Sequence, residues 1–216
     1  MMLQERDEFL WAQKYRPRKI DDCILPERMK TLFKEFLEQG QIPHFLFSGP
    51  AGIGKTTVAM ALCAELGADF LFINGSEESG IDVLRGKVKK FASTMSLSDQ
   101  KKIVLIDEAD YLNANSTQPA MRSLMEEFSS NCRFILTCNL KHKIIEPLHS
   151  RCTVVDFKIE ADEKKSLMTQ MAKRCVSILE QENIEYDKAV IAPIVQRTFP
   201  DFRKLLNKLQ EYSVIG

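Results

Sequence analysis

The chain has 216 residues, of which 44% are hydrophobic and 28% charged, and this is the composition of an ordinary globular protein long enough to bury a core. No apolar run approaches the roughly 20 residues of a membrane-spanning helix, and no export signal opens the sequence, so we expect neither a membrane protein nor a secreted one. Thirty Lys and Arg residues balance thirty Asp and Glu residues, so any contact with nucleic acid must come from a local basic patch.

Five short apolar runs predict strands, at 44–48, 69–74, 102–107, 133–139 and 153–158. Several are almost continuously apolar, which is typical of strands covered on both faces. Helical stretches lie between them: 27–39 and 55–66 each end before a glycine, and 116–128 carries Pro119 in its first turn, where proline is tolerated. The alternation of strands and helices predicts a parallel α/β sheet.

The pattern changes after residue 158. From 162 to 181 the apolar residues follow helical spacing, and two more helical stretches, 187–198 and 202–212, are separated around Pro200. We therefore predict an α/β domain at 1–158 and a small helical domain at 159–216.

The six cysteines form no C-x-x-C pair, and the three histidines do not stand beside them at zinc-site spacing. Most of the cysteines lie in apolar segments, as Cys138 does in the fourth predicted strand. This predicts buried, reduced thiols rather than a zinc site.

A phosphate-binding loop follows the first predicted strand, because residues 49–57 read G-P-A-G-I-G-K-T-T and fit G-x-x-x-x-G-K-[ST]. Its glycines allow backbone N–H groups to surround phosphate oxygens, and the following helix adds the positive end of its dipole. Lys55 would contact the β- and γ-phosphates of ATP, and Thr56 would ligate Mg²⁺. A plain glycine-rich turn is the alternative. The predicted nucleotide-binding residues of this loop are Gly52, Ile53, Gly54, Lys55, Thr56 and Thr57.

Two acidic residues, Asp107 and Glu108, stand at the end of the third predicted strand, where the sequence reads I-V-L-I-D-E-A-D at 103–110. Asp107 stands at the carboxyl end of the sheet, where α/β sheets bind ligands, and would belong to the Mg²⁺ shell. Glu108 would orient and polarise an attacking water, which a hydrolase needs and a nucleotide kinase does not. Two acids that merely cap a strand are the alternative.

The letters D-E-A-D at 107–110 also suggest an RNA helicase. Such enzymes need two α/β lobes and the motifs S-A-T and H-R-x-G-R, and these motifs are not found here.

Asn139 ends the fourth predicted strand beside these residues. Its side chain could hydrogen-bond the γ-phosphate or the attacking water, or it could cap its own turn.

Together these residues resemble the AAA+ ATPases and, more narrowly, the clamp-loader subunits of DNA replication. The narrower resemblance rests on K-Y-R-P at 14–17 with I-D-D at 20–22, N-G-S at 74–76, G-I-D-V-L-R at 80–85, Q-P-A-M-R-S-L-M-E at 118–126, S-R-C at 150–152 and P-D-F-R-K at 200–204. The overall spacing is most similar to the large subunits of T-even-type bacteriophage clamp loaders, with relatives in archaeal and eukaryotic replication factor C. The resemblance covers nearly the whole chain.

The resemblance implies a P-loop AAA+ domain, with a five-stranded parallel sheet flanked by helices, followed by a small helical lid domain. Asn139 would be the first sensor, Arg203 the second sensor that closes the lid on the γ-phosphate, and Arg151 the arginine finger that serves ATP in a neighbouring subunit. Taken alone, these arginines would be ordinary surface charges. The adenine pocket implied by the resemblance consists of Ala12, Gln13, Lys14, Tyr15 and Ile24.

A basic stretch provides the candidate DNA contact. Arg85 and Lys89 are i,i+4 neighbours on a helix, and the resemblance implies that this helix follows the DNA backbone without reading the sequence. A solvated helix face is the alternative. The basic residues of this stretch are Arg85, Lys87, Lys89 and Lys90, with Lys101 and Lys102 soon after.

The chain departs from the family pattern in two places. Relatives carry a basic residue just before the G-I-D segment, whereas this chain has Glu77, Glu78 and Ser79 there. The family also continues into a helical collar domain that holds its pentamer together, and we expect that domain to be absent from these 216 residues.

The function implied by the resemblance is that of an ATP-driven motor subunit. With other loader subunits it would open a ring-shaped sliding clamp, and primer–template DNA would trigger ATP hydrolysis and release. The expected location is the cytoplasm, or the host cytoplasm for a phage protein. The alternatives are another AAA+ machine, such as a branch-migration helicase or an initiator-loading ATPase, and a non-hydrolysing nucleotide-binding scaffold. The segments at 14–17 and 150–152 argue against the first, and the intact Lys55, Asp107, Glu108 and Arg151 against the second.

Overall fold

The structure, a computed structural model, describes residues 9–94 and 101–215. Its centre is one sheet of five parallel strands in the order β2-β3-β4-β1-β5. The predicted parallel sheet is therefore confirmed. The strands are β1 (Phe45–Ser48), β2 (Asp69–Asn74), β3 (Lys102–Asp107), β4 (Cys132–Cys138) and β5 (Thr153–Asp156).

The fifth strand ends two residues earlier than the sequence predicts. In the edge strand β5, Asp156 pairs with Ser48, the last residue of its neighbour β1. The Phe157 N–H still donates to the Ser48 carbonyl at 2.7 Å, but no further β1 residue is available to continue the ladder.

Helices flank the sheet and then form a separate group after it. The last helix extends to Ile215 and so is longer than the predicted 202–212. Two short 3₁₀ turns, Ala109–Tyr111 and Lys141–Lys143, follow β3 and β4. The α-helices are α1 (Trp11–Lys14), α2 (Glu27–Glu38), α3 (Lys55–Glu65), α4 (Ile81–Ser93), α5 (Thr117–Glu127), α6 (Glu146–His149), α7 (Glu163–Gln181), α8 (Lys188–Thr198) and α9 (Phe202–Ile215).

Both faces of the sheet are buried, which explains why its central strands read as continuous apolar runs. All four residues of β1 are buried. Phe45 and Phe47 pack with Phe33 of α2 on one face, whereas Leu46 packs with Leu136 on the other. The alternation of side chains along a strand produces this division, so the same four-residue segment contributes to two cores.

The helices α7 to α9 enclose a third core, which contains Met171, Ile178 and Leu205. Trp11 from α1 is buried in it, and the Trp11 N–H donates to Oε1 of Gln210 at 3.0 Å. The N-terminal segment therefore packs with the C-terminal helices. The predicted division at residue 158 stays a prediction.

Five of the six cysteines are buried and Cys152 is half-buried, and all six are free thiols. Burial raises the pKa of Cys23 and Cys63 to about 12, which makes them poor nucleophiles at neutral pH. No helix within residues 9–94 and 101–215 has the length and apolar character that crossing a membrane requires.

Candidate nucleotide site

A cavity of about 250 Å³ lies where the phosphate-loop segment and the carboxyl ends of β3 and β4 meet the N-terminal segment and the helices α7 and α9. It brings together residues that are more than 190 positions apart in sequence, such as Ala12 and Arg203. The sequence-predicted residues in its wall are Ala12, Gln13, Tyr15, Ile24, Gly52, Ile53, Gly54, Lys55, Thr56, Thr57, Asp107, Glu108, Asn139 and Arg203.

The phosphate loop has the backbone that its glycines predict. Gly52 and Gly54 have φ angles of 74° and 98°, in the region that other residues rarely adopt. Lys55 is the first residue of α3, and its Nζ donates to the carbonyls of Gly49 (2.7 Å) and Pro50 (2.8 Å). The side chain is 7% exposed, and this burial lowers the pKa of Lys55.

Asn139 contacts this lysine directly, because its Oδ1 accepts a hydrogen bond from Lys55 Nζ at 2.9 Å. Asn139 follows the end of β4, and its own N–H donates to Oδ2 of Asp110 at 3.3 Å. The structure thus joins the phosphate loop to the end of β4.

A hydroxyl–carboxylate network lies next to the loop. Thr56 Oγ1 donates to Oδ1 of Asp107 at 2.7 Å, and Thr137 Oγ1 donates to the same oxygen at 2.5 Å. Thr137 Oγ1 also accepts the backbone N–H of Glu108 at 3.1 Å. Hydroxyl and carboxylate oxygens are the ligands that Mg²⁺ takes in proteins, so Thr56 and Asp107 fit a magnesium site by the chemistry of their donors.

Glu108 has an unusual backbone conformation, with φ 54° and ψ 43°. A residue other than glycine in this left-handed region costs of order 1–3 kcal/mol, and such residues concentrate at functional sites. The conformation is found at the residue that the sequence predicts to polarise water.

At the opposite side of the cavity, the N-terminal segment is tied to the lid helix α7. Tyr15 Oη donates to Oε1 of Glu182 at 2.5 Å, and Nη2 of Arg174 donates to the Tyr15 carbonyl at 3.1 Å. Burial, followed by the bond to Glu182, raises the pKa of Tyr15. Lys14, predicted for the adenine pocket, is not among the described residues that line the cavity: its Nζ pairs with Glu182 at 2.7 Å.

The lid also contacts the phosphate loop. The Phe202 N–H donates to the Gly52 carbonyl at 3.0 Å, and Asp201 Oδ1 accepts the N–H of Lys204 at 2.9 Å in the first turn of α9. Gly52 and Asp201 are so close that a Cβ at Gly52 would lie 2.0 Å from Asp201 Oδ1. Arg203, the second residue of α9, consequently lies in the wall of the cavity.

Arg151 lies outside the cavity. Its Nε donates to Oε1 of Glu126 at 2.9 Å, and its Nη1 donates to the Pro147 carbonyl at 2.9 Å. The neighbouring arginine lowers the pKa of Glu126. This position leaves the arginine away from the nucleotide cavity of its own chain.

The four basic residues predicted to contact DNA lie on α4, which buries Leu84 and Val88 and exposes the four cations. Lys89 pairs with Glu127 at 3.3 Å, and Lys87 pairs with Glu78. Because these pairs lie at the surface, they contribute little to stability, and each lysine can exchange its carboxylate partner for another anion.

Lys102 does not join this basic surface, contrary to the expectation from sequence. It is 4% exposed, and its Nζ donates to the Phe91 carbonyl and to Thr94 Oγ1, both at 2.7 Å. The ammonium group caps carbonyls at the end of α4, where a cation complements the helix dipole.

Thr137 and Arg174 are among the residues of the site that were not predicted from the sequence. Thr137 lies two positions before Asn139, and since side chains alternate along a strand, this spacing was the available signal. Arg174 lies in the middle of α7 and carries no local signal, because its partner Tyr15 is 159 positions away.

A glycine-rich phosphate loop at the end of a parallel sheet, with two acidic residues at the end of β3 beside it and a helical lid over it, is typical of P-loop nucleoside triphosphatases. The family described as "ATPase family associated with various cellular activities (AAA)" matches residues 45–161, and the "Sliding-clamp-loader large subunit, AAA+ ATPase lid domain" matches residues 163–216. The chain belongs to the AAA family of ATPases, among the clamp-loader subunits of that family.

Similar sequences come from phages and archaea. The sliding-clamp-loader large subunit of Escherichia phage RB69 is 44% identical over 97% of this chain and 66% of that protein. The same subunit of Enterobacteria phage T4 is 43% identical over 100% of this chain and 68% of that protein. The replication factor C small subunit of Sulfurisphaera tokodaii is 42% identical, over 100% of this chain and 65% of that protein. The chain thus spans about two thirds of the length of these relatives.

Solved structures show the same fold. A variant of RuvB from Thermotoga maritima superposes with a TM-score of 0.75, covers 94% of this chain and 65% of that chain, and is 19% identical. At this identity the likeness shows the fold alone.

Proposed function

We propose that this chain is an ATP-hydrolysing motor subunit of a sliding-clamp loader, which acts with other loader subunits on a ring-shaped clamp and on primer–template DNA. The observation that carries the proposal is the cavity, which gathers the phosphate loop, the two acidic residues at the end of β3 and the lid arginine in a chain similar to clamp-loader subunits.

The cavity residues that are predicted to act on ATP have the following tasks in this proposal. Lys55 and the backbone N–H groups of the loop bind the phosphates of ATP, and Arg203 neutralises the γ-phosphate from the lid side. Thr56 and Asp107 hold Mg²⁺, which supplies charge neutralisation when bound. Glu108 accepts a proton from the attacking water, and Asn139 orients that water or the γ-phosphate.

The arginine finger completes the site from another subunit. Arg151 lies outside its own cavity and is 28% exposed, paired with Glu126 at the surface. A cation supplied in trans is worth about 10³–10⁵ in rate in related phosphoryl transfers. We therefore expect the isolated chain to bind ATP well and to hydrolyse it slowly.

The basic face of α4 supports the proposal that DNA stimulates ATP hydrolysis. Its four exposed cations suit contacts with phosphates, which carry no sequence preference. Primer–template DNA held there would engage the same subunit that holds ATP.

An ATPase assay with and without a phage sliding clamp and primer–template DNA tests the proposal. Wild-type chain should hydrolyse ATP faster when loader partners, clamp and DNA are present. Glu108→Gln should bind ATP nearly as well as wild type and lose turnover, since glutamine keeps the shape of the side chain and cannot accept the proton.

Two variants provide the controls. Lys55→Ala should lose ATP binding itself, and Glu77→Gln should behave as wild type because Glu77 is an exposed glutamate that does not line the cavity. Wild-type turnover by Glu108→Gln would contradict the assignment of the base. If the chain hydrolyses ATP but clamp and DNA do not change its rate of hydrolysis, the clamp-loader proposal is contradicted and the assignment as an ATPase remains.

A further inference from the structure

The left-handed backbone of Glu108 needs support from its surroundings, because a glutamate does not favour this conformation by itself. The residue follows β3 directly, and β3 lies between β4 and β2 in the sheet. Glu108 is therefore flanked by a residue of β4 on one side and by the residue that follows β2 on the other.

The support from the β4 side is a hydrogen bond. Thr137 is 1% exposed, and its hydroxyl accepts the Glu108 N–H at 3.1 Å while it donates to Asp107 Oδ1 at 2.5 Å. A hydroxyl can serve as donor and acceptor at once, and valine, which has the same shape, can do neither. One buried side chain thus fixes the main chain of Glu108 relative to the Asp107 carboxylate.

The support from the β2 side is steric. The Gly75 N–H donates to the Asp107 carbonyl at 2.8 Å. A Cβ at Gly75 would lie 2.7 Å from the Glu108 carbonyl oxygen and 3.1 Å from that of Asp107. Gly75 does not have a positive φ, so the close approach of the two backbones, rather than conformation, requires glycine here.

We propose that Thr137 and Gly75 are positioning residues that fix the main chain of Glu108 from both sides, and with it the direction in which the Glu108 carboxylate leaves the backbone. The inference rests on the proposed role of Glu108 as the base. Neither residue exchanges a proton with the substrate. Because Thr137 also bonds to the Asp107 carboxylate, the experiments must separate an effect through Glu108 from one through Asp107.

The first experiment compares Thr137→Val with Thr137→Ser. We expect Thr137→Val to lower the single-turnover rate of ATP hydrolysis by about 10- to 100-fold, the loss that follows from misplacing a catalytic group by about 1 Å. ATP affinity, measured by the fluorescence of Trp11, should change less than about threefold. Thr137→Ser keeps the hydroxyl and should restore most of the rate.

The second experiment uses Gly75→Ala with Gly80→Ala as its matched control. Within residues 9–94 and 101–215, a Cβ at Gly80 has Val83 Cγ2 as its nearest non-adjacent contact, at 3.9 Å, so Gly80→Ala should retain the wild-type rate. Gly75→Ala must displace the Glu108 carbonyl and should lower the rate to a similar extent as Thr137→Val, with ATP affinity kept.

A double mutant separates positioning from general stability. In the Glu108→Gln background, Thr137→Val should cause no further loss of rate, because the residue that it positions no longer acts as a base. Equal losses in both backgrounds would show that Thr137 has only a structural role and would overturn the inference.

Amide hydrogen exchange supplies a measurement that does not depend on turnover. The Glu108 N–H should exchange slowly in wild type and in Thr137→Ser, and at least about tenfold faster in Thr137→Val. Unchanged exchange in Thr137→Val would overturn the inference.

If Glu108→Gln is inactive while Thr137→Val and Gly75→Ala hydrolyse ATP at the wild-type rate, the inference fails and the proposed function stands. If Glu108→Gln retains full activity, the proposed role of Glu108 fails first.

Discussion

The contact between Gly52 and Asp201 allows a test of how the lid is held on the phosphate loop. Gly52 and Gly54 both have positive φ angles, 74° and 98°, so alanine at either position carries a backbone cost of about 1–2 kcal/mol. The surroundings of the two residues differ. A Cβ at Gly52 would lie 2.0 Å from Asp201 Oδ1, whereas among the described residues, chain neighbours apart, nothing lies within 4 Å of a Cβ at Gly54.

The additional cost at Gly52 can be estimated from the bonds that must break. Asp201 Oδ1 accepts the Lys204 N–H at 2.9 Å, and moving the carboxylate away loses this helix cap, worth about 1 kcal/mol. The Phe202 N–H, which donates to the Gly52 carbonyl at 3.0 Å, contributes about another 1 kcal/mol if the lid shifts. We therefore expect Gly52→Ala to lower the free energy of unfolding by about 2–4 kcal/mol and Gly54→Ala by about 1–2 kcal/mol.

Urea unfolding of the nucleotide-free chain measures both values, and Trp11, the single tryptophan, reports on the lid core. The Asp201→Ala background supplies the control, because the three heavy atoms nearest to the Gly52 Cβ all belong to the Asp201 carboxylate. In that background the two glycine substitutions should cost nearly the same. Equal costs in the wild-type background would refute the reasoning.

Three further predictions concern the DNA contact, the arginine finger and a half-buried histidine. Charge reversal at Arg85 and Lys89 should weaken DNA binding for all sequences alike and reduce the slope of log K against log salt by about 2, as filter binding at several salt concentrations can measure. Lys55→Ala and Arg151→Ala chains should each be inactive in ATPase assays of the assembled loader, and mixing them should restore part of the activity. Burial lowers the pKa of His44 from 6.5 to about 4, so the unfolded chain binds the additional proton between these values. Stability in urea should therefore fall by about 2 kcal/mol from about pH 7 to pH 5 in wild type and stay nearly constant in His44→Asn.

The sheet was predictable because burial leaves a direct signal in the sequence. In β1 all four residues are buried and the first three are apolar, and in β3 the run from Ile103 to Ile106 is apolar and buried on both faces. The phosphate loop was predictable for a related reason. Its backbone has positive φ angles at positions 52 and 54, which favour glycine, so the glycines themselves are a local signal in the sequence.

The environment of single polar residues was less predictable. Lys102 looks like a surface charge when it is read beside Lys101, but tertiary packing places it against the end of α4, where its ammonium group finds carbonyl acceptors. Thr137 looks like an ordinary strand residue until β3 is placed beside β4. In both cases the deciding partners lie on another element, so local sequence does not contain them.

The N-terminal segment shows the strongest dependence on long-range contacts, and it explains why the cavity responds to the lid at both of its ends. The Trp11 N–H bonds to Gln210, 199 positions away, and Tyr15 bonds to Glu182 of the lid. At the other end, Phe202 bonds to the phosphate loop at Gly52. The same group of helices therefore holds the proposed adenine side and the phosphate side of the cavity. A bound nucleotide that contacts both sides would favour one position of the lid by the difference in its binding free energy between the two positions.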